Sequence, residues 1–106
     1  MADAWFDPAF SAVALEFDGG LELDYYPDSR SQQQWATDNA ALIADDFPGT
    51  FVVVRSTEGV GAEPGPDHPS SLAWLEGQDE ETLYGLDGQS VSQLVAIANS
   101  MVAAST

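Results

Sequence analysis

The chain has 106 residues, of which 18 are Asp or Glu and only two are Arg or Lys, so its formal net charge is −16. A charge this negative excludes a basic surface for nucleic-acid phosphates, and anionic membrane surfaces would repel it. No apolar run is long enough for membrane insertion. The absence of cysteine excludes disulfides and thiolate metal sites. Length and hydrophobic content are typical of one globular domain, which we take to span residues 1–106.

The first strong pattern is a β-hairpin over residues 13–26, where apolar and polar residues alternate on both sides of an Asp-Gly-Gly turn. A three-residue loop pairs Phe17 with Leu21 and keeps one face apolar, whereas a two-residue loop would mix the faces. The favoured register places Glu16 opposite Glu22. This like-charge pair is expected to cost stability.

Two helices are predicted from capping boxes that precede apolar residues at helical spacing. The first box is Ser31 with Gln34, and its helix runs to about Asp45. The second box is Ser90 with Gln93, and its helix continues towards the C terminus.

The segments between the helices predict further strands. Thr50–Arg55 is rich in β-branched residues and predicts a strand with both faces covered, and residues 72–75 and 83–86 predict a second hairpin. The Pro- and Gly-rich stretch Gly59–Ser71 is interpreted as a flexible connection. Together the elements predict an α+β fold, in which an antiparallel sheet of about five strands carries two helices packed on one face.

The last helix differs from the rest of the chain because residues 89–106 carry no charge. One interpretation is a helix packed on the sheet with a small polar outer face. The other is that this outer face, with Ile97, is shared with a partner, which would give a homo-oligomer. Both stay open at this point.

Residue types that carry catalysis are scarce, so we expect no enzyme, no catalytic residue and no cofactor. His68 is the single histidine and lies in the Pro-rich stretch, where no rigid element would hold a nucleophile and an orienting group beside it. One histidine without cysteine does not supply the usual ligands of zinc. Whether carboxylates bind calcium stays open, because calcium needs only oxygen ligands.

The candidate binding residues are carboxylates in the two hairpins. Four lie in the predicted turn of the second hairpin and two form the like-charge pair of the first, namely Glu76, Asp79, Glu80, Glu81, Glu16 and Glu22. The alternative interpretation of such a cluster is a solvated acidic turn.

Three segments of the second half follow a pattern: a Trp-containing strand and short turn (Leu72–Gly77), a strand ending near Gly (Thr82–Gly88), and a helix opened by Ser (Ser90–Met101). In these segments, and in the first hairpin, the chain resembles a bacterial domain family without an assigned activity. That family occurs at the extracytoplasmic C-terminal end of anti-sigma-factor-like membrane proteins and in lipoproteins. The resemblance implies a noncatalytic extracytoplasmic sensing or interaction domain, although the family usually carries more Lys and Arg.

The composition supports two further hypotheses. An acidic binding partner, such as an immunity-type inhibitor or a decoy, would associate with a basic protein or peptide, and its charge would speed that association. A halophile-adapted small soluble protein, in the cytoplasm of a salt-tolerant organism, would show the same excess of carboxylates. The expected localisation therefore depends on which hypothesis holds.

Overall fold

A computed structural model describes residues 3–7, 12–17 and 20–100 of the chain. Its elements are β1 (Asp3–Asp7), β2 (Ala12–Phe17), β3 (Leu21–Pro27), α1 (Gln32–Ala44), β4 (Thr50–Val54), β5 (Thr57–Ala62), β6 (Ser70–Glu76), β7 (Asp79–Gly85) and α2 (Val91–Ser100). The seven described strands form one antiparallel sheet in the order β1-β2-β3-β7-β6-β5-β4. The predicted α+β class with an antiparallel sheet is confirmed, and β1 and β5 extend the sheet beyond the five strands expected.

The predicted register of the first hairpin is confirmed. Phe17 pairs with Leu21, and Glu16 pairs with Glu22. Gly20 ends the turn with a φ of 75°, a left-handed conformation that glycine adopts without steric cost. The two turn residues before Gly20 lie outside the described residues.

Both predicted helix starts are confirmed, but only α2 forms the complete capping box. There the Gln93 N–H donates to Ser90 Oγ, and the Ser90 N–H donates to the Gln93 side chain. At α1 the Gln34 N–H donates to Ser31 Oγ, whereas the Gln34 side chain donates to Asp38 instead. The first helix therefore has the hydrogen bond to the Ser31 side chain but not the return hydrogen bond from the Ser31 N–H to the Gln34 side chain.

The two helices lie on opposite faces of the sheet, so the expectation that both pack on one face was wrong. Leu72 and Trp74 of β6 belong to the core that includes Leu94 of α2. Leu75, which points to the other face of the same strand, packs with Trp35 of α1. The physical reason is that β6 is apolar on both faces, so each face needs its own helix as a cover.

The stretch predicted as a flexible connection, Gly59–Ser71, begins inside β5 and ends inside β6, so that prediction was wrong for its first and last residues. The strand contains glycine at these positions because neighbouring side chains pack directly against its backbone and leave no room for a Cβ atom. A Cβ on Gly61 would lie 2.5 Å from Cγ1 of Val91 in α2, and one on Gly59 would lie 2.6 Å from Cγ1 of Val54. Glycine here allows close packing on a strand rather than a loop.

The α2 helix packs on the sheet through Val91, Leu94 and Ala98, which are buried, while Ile97 is partly buried against the same core. This agrees with the first interpretation of the uncharged helix, a packed helix with a polar outer face. A partner on that outer face stays a prediction. Residues 101–106, into which this helix was predicted to continue, lie outside the described residues.

Candidate functional site

The carboxylates expected in one acidic turn are divided between two strands and two faces. The turn itself consists of residues 77–78, because Glu76 ends β6 and Asp79, Glu80 and Glu81 begin β7. Strand alternation and the pairing of Glu76 with Asp79 place Glu76, Asp79 and Glu81 on the α2 face and Glu80 on the α1 face. The alternative interpretation, a solvated acidic turn, was therefore wrong, because the β6–β7 pairing places these residues in the sheet.

Glu80 is buried beneath α1 and belongs to a charged cluster that we call the α1 network, formed by Arg30, Asp28, Asp38, Glu80 and Trp35. The Trp35 indole N–H donates to Glu80 Oε2, and Arg30 Nη2 lies 3.4 Å from the same oxygen. Arg30 also forms ion pairs with Asp28 at 2.6 Å and with Asp38 at 3.0 Å. Hydrogen bonds from the guanidinium hold the pKa of both aspartates below the ordinary range and raise the pKa of Arg30.

The opposite face carries the α2 network, formed by Arg55, Glu76 and Trp74 with the end of α2. Arg55 Nε donates to Glu76 Oε1 at 2.7 Å, and the Trp74 indole N–H donates to the same oxygen at 2.9 Å. Arg55 Nη1 donates to the Ala98 carbonyl at 2.9 Å, and the Arg55 backbone N–H donates to Asn99 Oδ1 at 2.6 Å. The Arg55 hydrogen bond, with a smaller contribution from Trp74, holds the pKa of Glu76 below its ordinary value.

These contacts also stabilise the turn between β4 and β5. Arg55 and Ser56 have φ values of 49° and 64°, the left-handed pair that a two-residue hairpin turn requires and that Asn-Gly usually supplies. Non-glycine residues adopt this conformation at a cost. The hydrogen bonds to Ala98 and Asn99 offset it by attaching the turn to α2.

Together, the two networks contain both arginines of a chain that has no lysine. Within the described residues, the carboxylates that form ion pairs with them are Asp28, Asp38, Glu80 and Glu76. Further carboxylates are exposed in the described structure, namely Asp45, Asp46, Glu58, Glu63, Asp67 and Asp87. The surface is negative because the chain has only two positive charges, and ion pairs within the described structure engage both of them.

A second group of carboxylates lies on the α1 face beyond the helix, where β3 pairs with β7. Glu22 is opposite Tyr84, and Asp24 is on the same face of β3. Burial, followed by the hydrogen bond and the negative charge of Asp24, raises the pKa of Glu22 to about 7. Burial, with the charges of Asp24 and Glu22, also raises the pKa of Tyr84. One oxygen of Asp24, Oδ1, is buried and accepts no hydrogen bond within the part of the chain that the structure describes.

The six candidate binding residues thus do not form one site. Glu16 and Glu22 are neighbours across β2 and β3, whereas Glu80 belongs to the α1 network. On the other face Glu81 is half-buried, and burial together with the charge of Glu76 raises its pKa. Whether any of these carboxylates binds a partner stays a prediction.

His68 is exposed and lies in a short ordered loop after β5. The Gly65 N–H donates to the His68 carbonyl at 3.0 Å, and His68 Nδ1 lies 3.2 Å from the Pro69 carbonyl. Residues 64–69 line an open groove of about 430 Å³ together with Gly85, Leu86 and Gly88. Neither contact provides the imidazole with a nucleophile to activate.

Within residues 3–7, 12–17 and 20–100, no group of three or more His, Asp or Glu side chains is arranged to hold a metal ion. In the same part of the chain, no helix has the length and apolar character needed to cross a membrane.

Comparisons with protein-family models, with curated proteins and with solved structures found no match to this chain. The resemblance to the extracytoplasmic domain family therefore stays a prediction.

Sequence reasoning missed the two networks, although a signal for them was present. With two cations among 18 carboxylates, an anionic partner is expected for each arginine. What the pattern did not reveal is that the partners include the glutamates beside the second hairpin turn, Glu76 and Glu80. Both lie close to a tryptophan only after the sheet has formed.

Proposed function

We propose that this chain is a noncatalytic interaction domain that binds a basic protein or peptide. The observation that carries the proposal is the internal pairing of both arginines, which leaves the exposed carboxylates as the charge that a partner meets. Complementary charge speeds association and selects against acidic competitors. The resemblance of the second half supports an extracytoplasmic sensing or interaction role for the domain.

A peptide library of varied net charge tests the proposal directly. The immobilised protein is incubated with the library in about 0.05 M KCl, and bound peptides are sequenced and measured again in about 1 M KCl, where the Debye length is about 3 Å. We expect enrichment of Lys- and Arg-rich peptides and a loss of affinity in the higher salt. Enrichment without basic residues, or affinity unchanged by salt, would contradict the proposal.

A second candidate function, that of a salt-adapted protein, is favoured by the pairing of Glu16 with Glu22 and by the raised pKa of Glu22. Carboxylates that repel one another are less costly when salt screens them. Thermal unfolding in low and in molar KCl separates the two accounts. A midpoint that does not rise with salt removes salt adaptation as the reason for the acidity.

A further inference from the structure

The β4 strand forms one edge of the described sheet and lacks three common protections of an edge, namely a charged residue, a proline and a bulge. Its five residues, Thr50–Val54, contain no charge and no proline. It pairs with β5 in continuous register, without a bulge. Edge strands of natural proteins are normally protected by such features. At the opposite edge, β1 begins and ends with an aspartate, Asp3 and Asp7.

One face of β4 is apolar and exposed, so the prediction that both faces of this strand are covered was wrong. Val54 is fully buried in the core below α2, whereas Phe51 is 38% exposed and Val53 is 75% exposed on the other face. The helix on that face, α1, packs instead on Val60 and Leu75 of the next two strands. The exposed side chains therefore belong to a strand that lies beyond the reach of the helix.

Two residues at the end of α1 enlarge this surface. Leu42 is 54% exposed and Phe47 is 45% exposed, and the Phe47 N–H donates to the Leu42 carbonyl. The Phe47 ring lies over Gly49, where an added Cβ would be 2.9 Å from it, so it adjoins the start of β4. We define the β4 patch as Leu42, Phe47, Phe51 and Val53. It holds four of the five large hydrophobic side chains that are exposed in the described residues, so most of these side chains lie on β4 and at the end of α1.

Carboxylates surround the β4 patch. Asp45 and Asp46 are exposed immediately before Phe47, and the exposed Glu58 is the register partner of Val53. The nearest arginine in the chain, Arg55, is directed to Glu76 and α2 on the other face. An apolar centre with an acidic rim is complementary to a segment that carries both apolar and basic side chains.

We propose that the β4 edge accepts an extended segment of a partner protein as an additional antiparallel or parallel strand. Backbone hydrogen bonds to β4 supply affinity, and alternate side chains of the segment supply specificity. Its apolar side chains cover Phe51 and Val53, and its Lys or Arg side chains lie against Asp46 and Glu58. This inference rests on the proposed function and names the surface and the class of ligand.

A second copy of the chain fits this edge less well. In a two-fold interface each residue meets the same surface of its partner, so Asp46 and Glu58 would approach carboxylates rather than cations. Each copy also has a net charge of −16. A basic segment removes this repulsion, which is why we assign the edge to a different protein.

The probe is a nine-residue peptide whose odd positions alternate between lysine and valine and whose even positions are threonine, so that lysine and valine lie on the same face of the strand. It is titrated into the ¹⁵N-labelled protein in about 0.05 M KCl. We expect amide shifts concentrated on Thr50–Val54 and slower hydrogen exchange there. Val53→Asn should weaken binding about tenfold, because a neutral polar side chain replaces the apolar one that the peptide covers, and it alters a side chain that is already exposed. Leu86→Asn is the matched control, since Leu86 is exposed but lies outside the β4 patch, and it should leave the affinity within twofold.

The outcomes distinguish this inference from the function on which it rests. Shifts that map to Glu22 and Tyr84 instead, or equal losses in the two variants, would overturn the β4 site while leaving a basic partner in place. A dimer in sedimentation that Val53→Asn abolishes would assign the edge to a second copy and overturn the inference. If neither this peptide nor any basic library peptide binds, the proposed function fails as well.

Discussion

The α1 and α2 networks use the same three residue types, Trp, Glu and Arg, on opposite faces of the β6–β7 hairpin, but they bury opposite members of the ion pair. In the α1 network the Glu80 side chain is 12% exposed and Arg30 is 35% exposed. In the α2 network Arg55 is 16% exposed and Glu76 is 39% exposed. A buried charge depends on its partner, whereas an exposed charge is also stabilised by water. Removing the arginine should therefore lower the free energy of unfolding more in the α1 network, and removing the glutamate should lower it more in the α2 network.

The largest expected effect is the loss of Arg30. Arg30→Gln leaves two buried carboxylates, Asp28 and Glu80, without their counter-ion, which should lower the free energy of unfolding by about 3 kcal/mol. Arg55→Gln leaves the more exposed Glu76, which water can solvate, and should cost about 1 kcal/mol. Urea unfolding of both variants measures the difference.

Arg30→Lys is the control for charge at this position. It keeps the positive charge but loses the planar fork that binds Asp28 through two nitrogens, so its stability should fall between wild type and Arg30→Gln. Equal destabilisation by Arg30→Gln and Arg55→Gln would show that burial does not separate the two networks.

The glutamates should show the reverse order. Glu76→Gln leaves the mostly buried Arg55 without its carboxylate and should cost about 2 kcal/mol. Glu80→Gln should cost about 1 kcal/mol, because the amide oxygen still accepts from Trp35 and Arg30 keeps Asp28 and Asp38. The same unfolding measurement tests both, and a larger loss at position 80 than at position 76 would reverse our interpretation.

The smallest effect concerns Glu22, a carboxylate that has no place in either network. The pKa of Glu22 is about 7 in the folded chain and 4.5 ordinarily. As the pH falls, the folded state therefore binds a proton at Glu22 before the unfolded state does. Glu22 therefore favours folding as the pH falls from 7 to 4.5, and this contribution is lost as the pH rises through 7. Glu22→Gln should raise stability at pH 8 by on the order of 1 kcal/mol, after solvent screening, and should change little at pH 5.

Unfolding midpoints between pH 5 and pH 8 check this prediction, with Asp87→Asn, at an exposed position, as the matched control. A Glu22→Gln variant whose midpoint depends on pH as strongly as that of the wild type would contradict it. In the networks the lowered pKa values of Glu76 and Asp28 have the opposite consequence. Their stabilisation is present above the ordinary carboxyl range and is lost as the pH falls through those lowered values.

Features set by neighbours along the chain could be predicted from the sequence. The first hairpin has a defined register because a strand has a period of two and Gly20 supplies the left-handed residue. The starts of α1 and α2 follow from Ser31 and Ser90, which bond to an amide three residues away.

Features set by distant contacts could not be predicted in the same way. The placement of the helices depends on β6, which is apolar on both faces, and no local pattern says which helix covers which face. The β5 glycines resemble loop residues until Val91 of α2 is known to lie against Gly61. The link between Trp35 and Glu80 joins α1 to β7, so it could not be found before the sheet was assembled.

The ladder between β3 and β7 has a consequence for the time course of folding. The ladder divides the sheet into two groups of strands, β1 to β3 and β4 to β7. Within each group, short connections join consecutive strands, and the β3–β7 ladder joins the two groups. It pairs Leu21 with Gly85 and Pro27 with Asp79, and hydrogen bonds from Leu86 to Gly20 and from Asp28 to Gln78 extend it at both ends. Pairing between segments so far apart has to overcome the entropy of closing a long loop. We therefore expect the hairpins of each group to form early and separately. Pairing of β3 with β7 should then be the step that limits the folding rate.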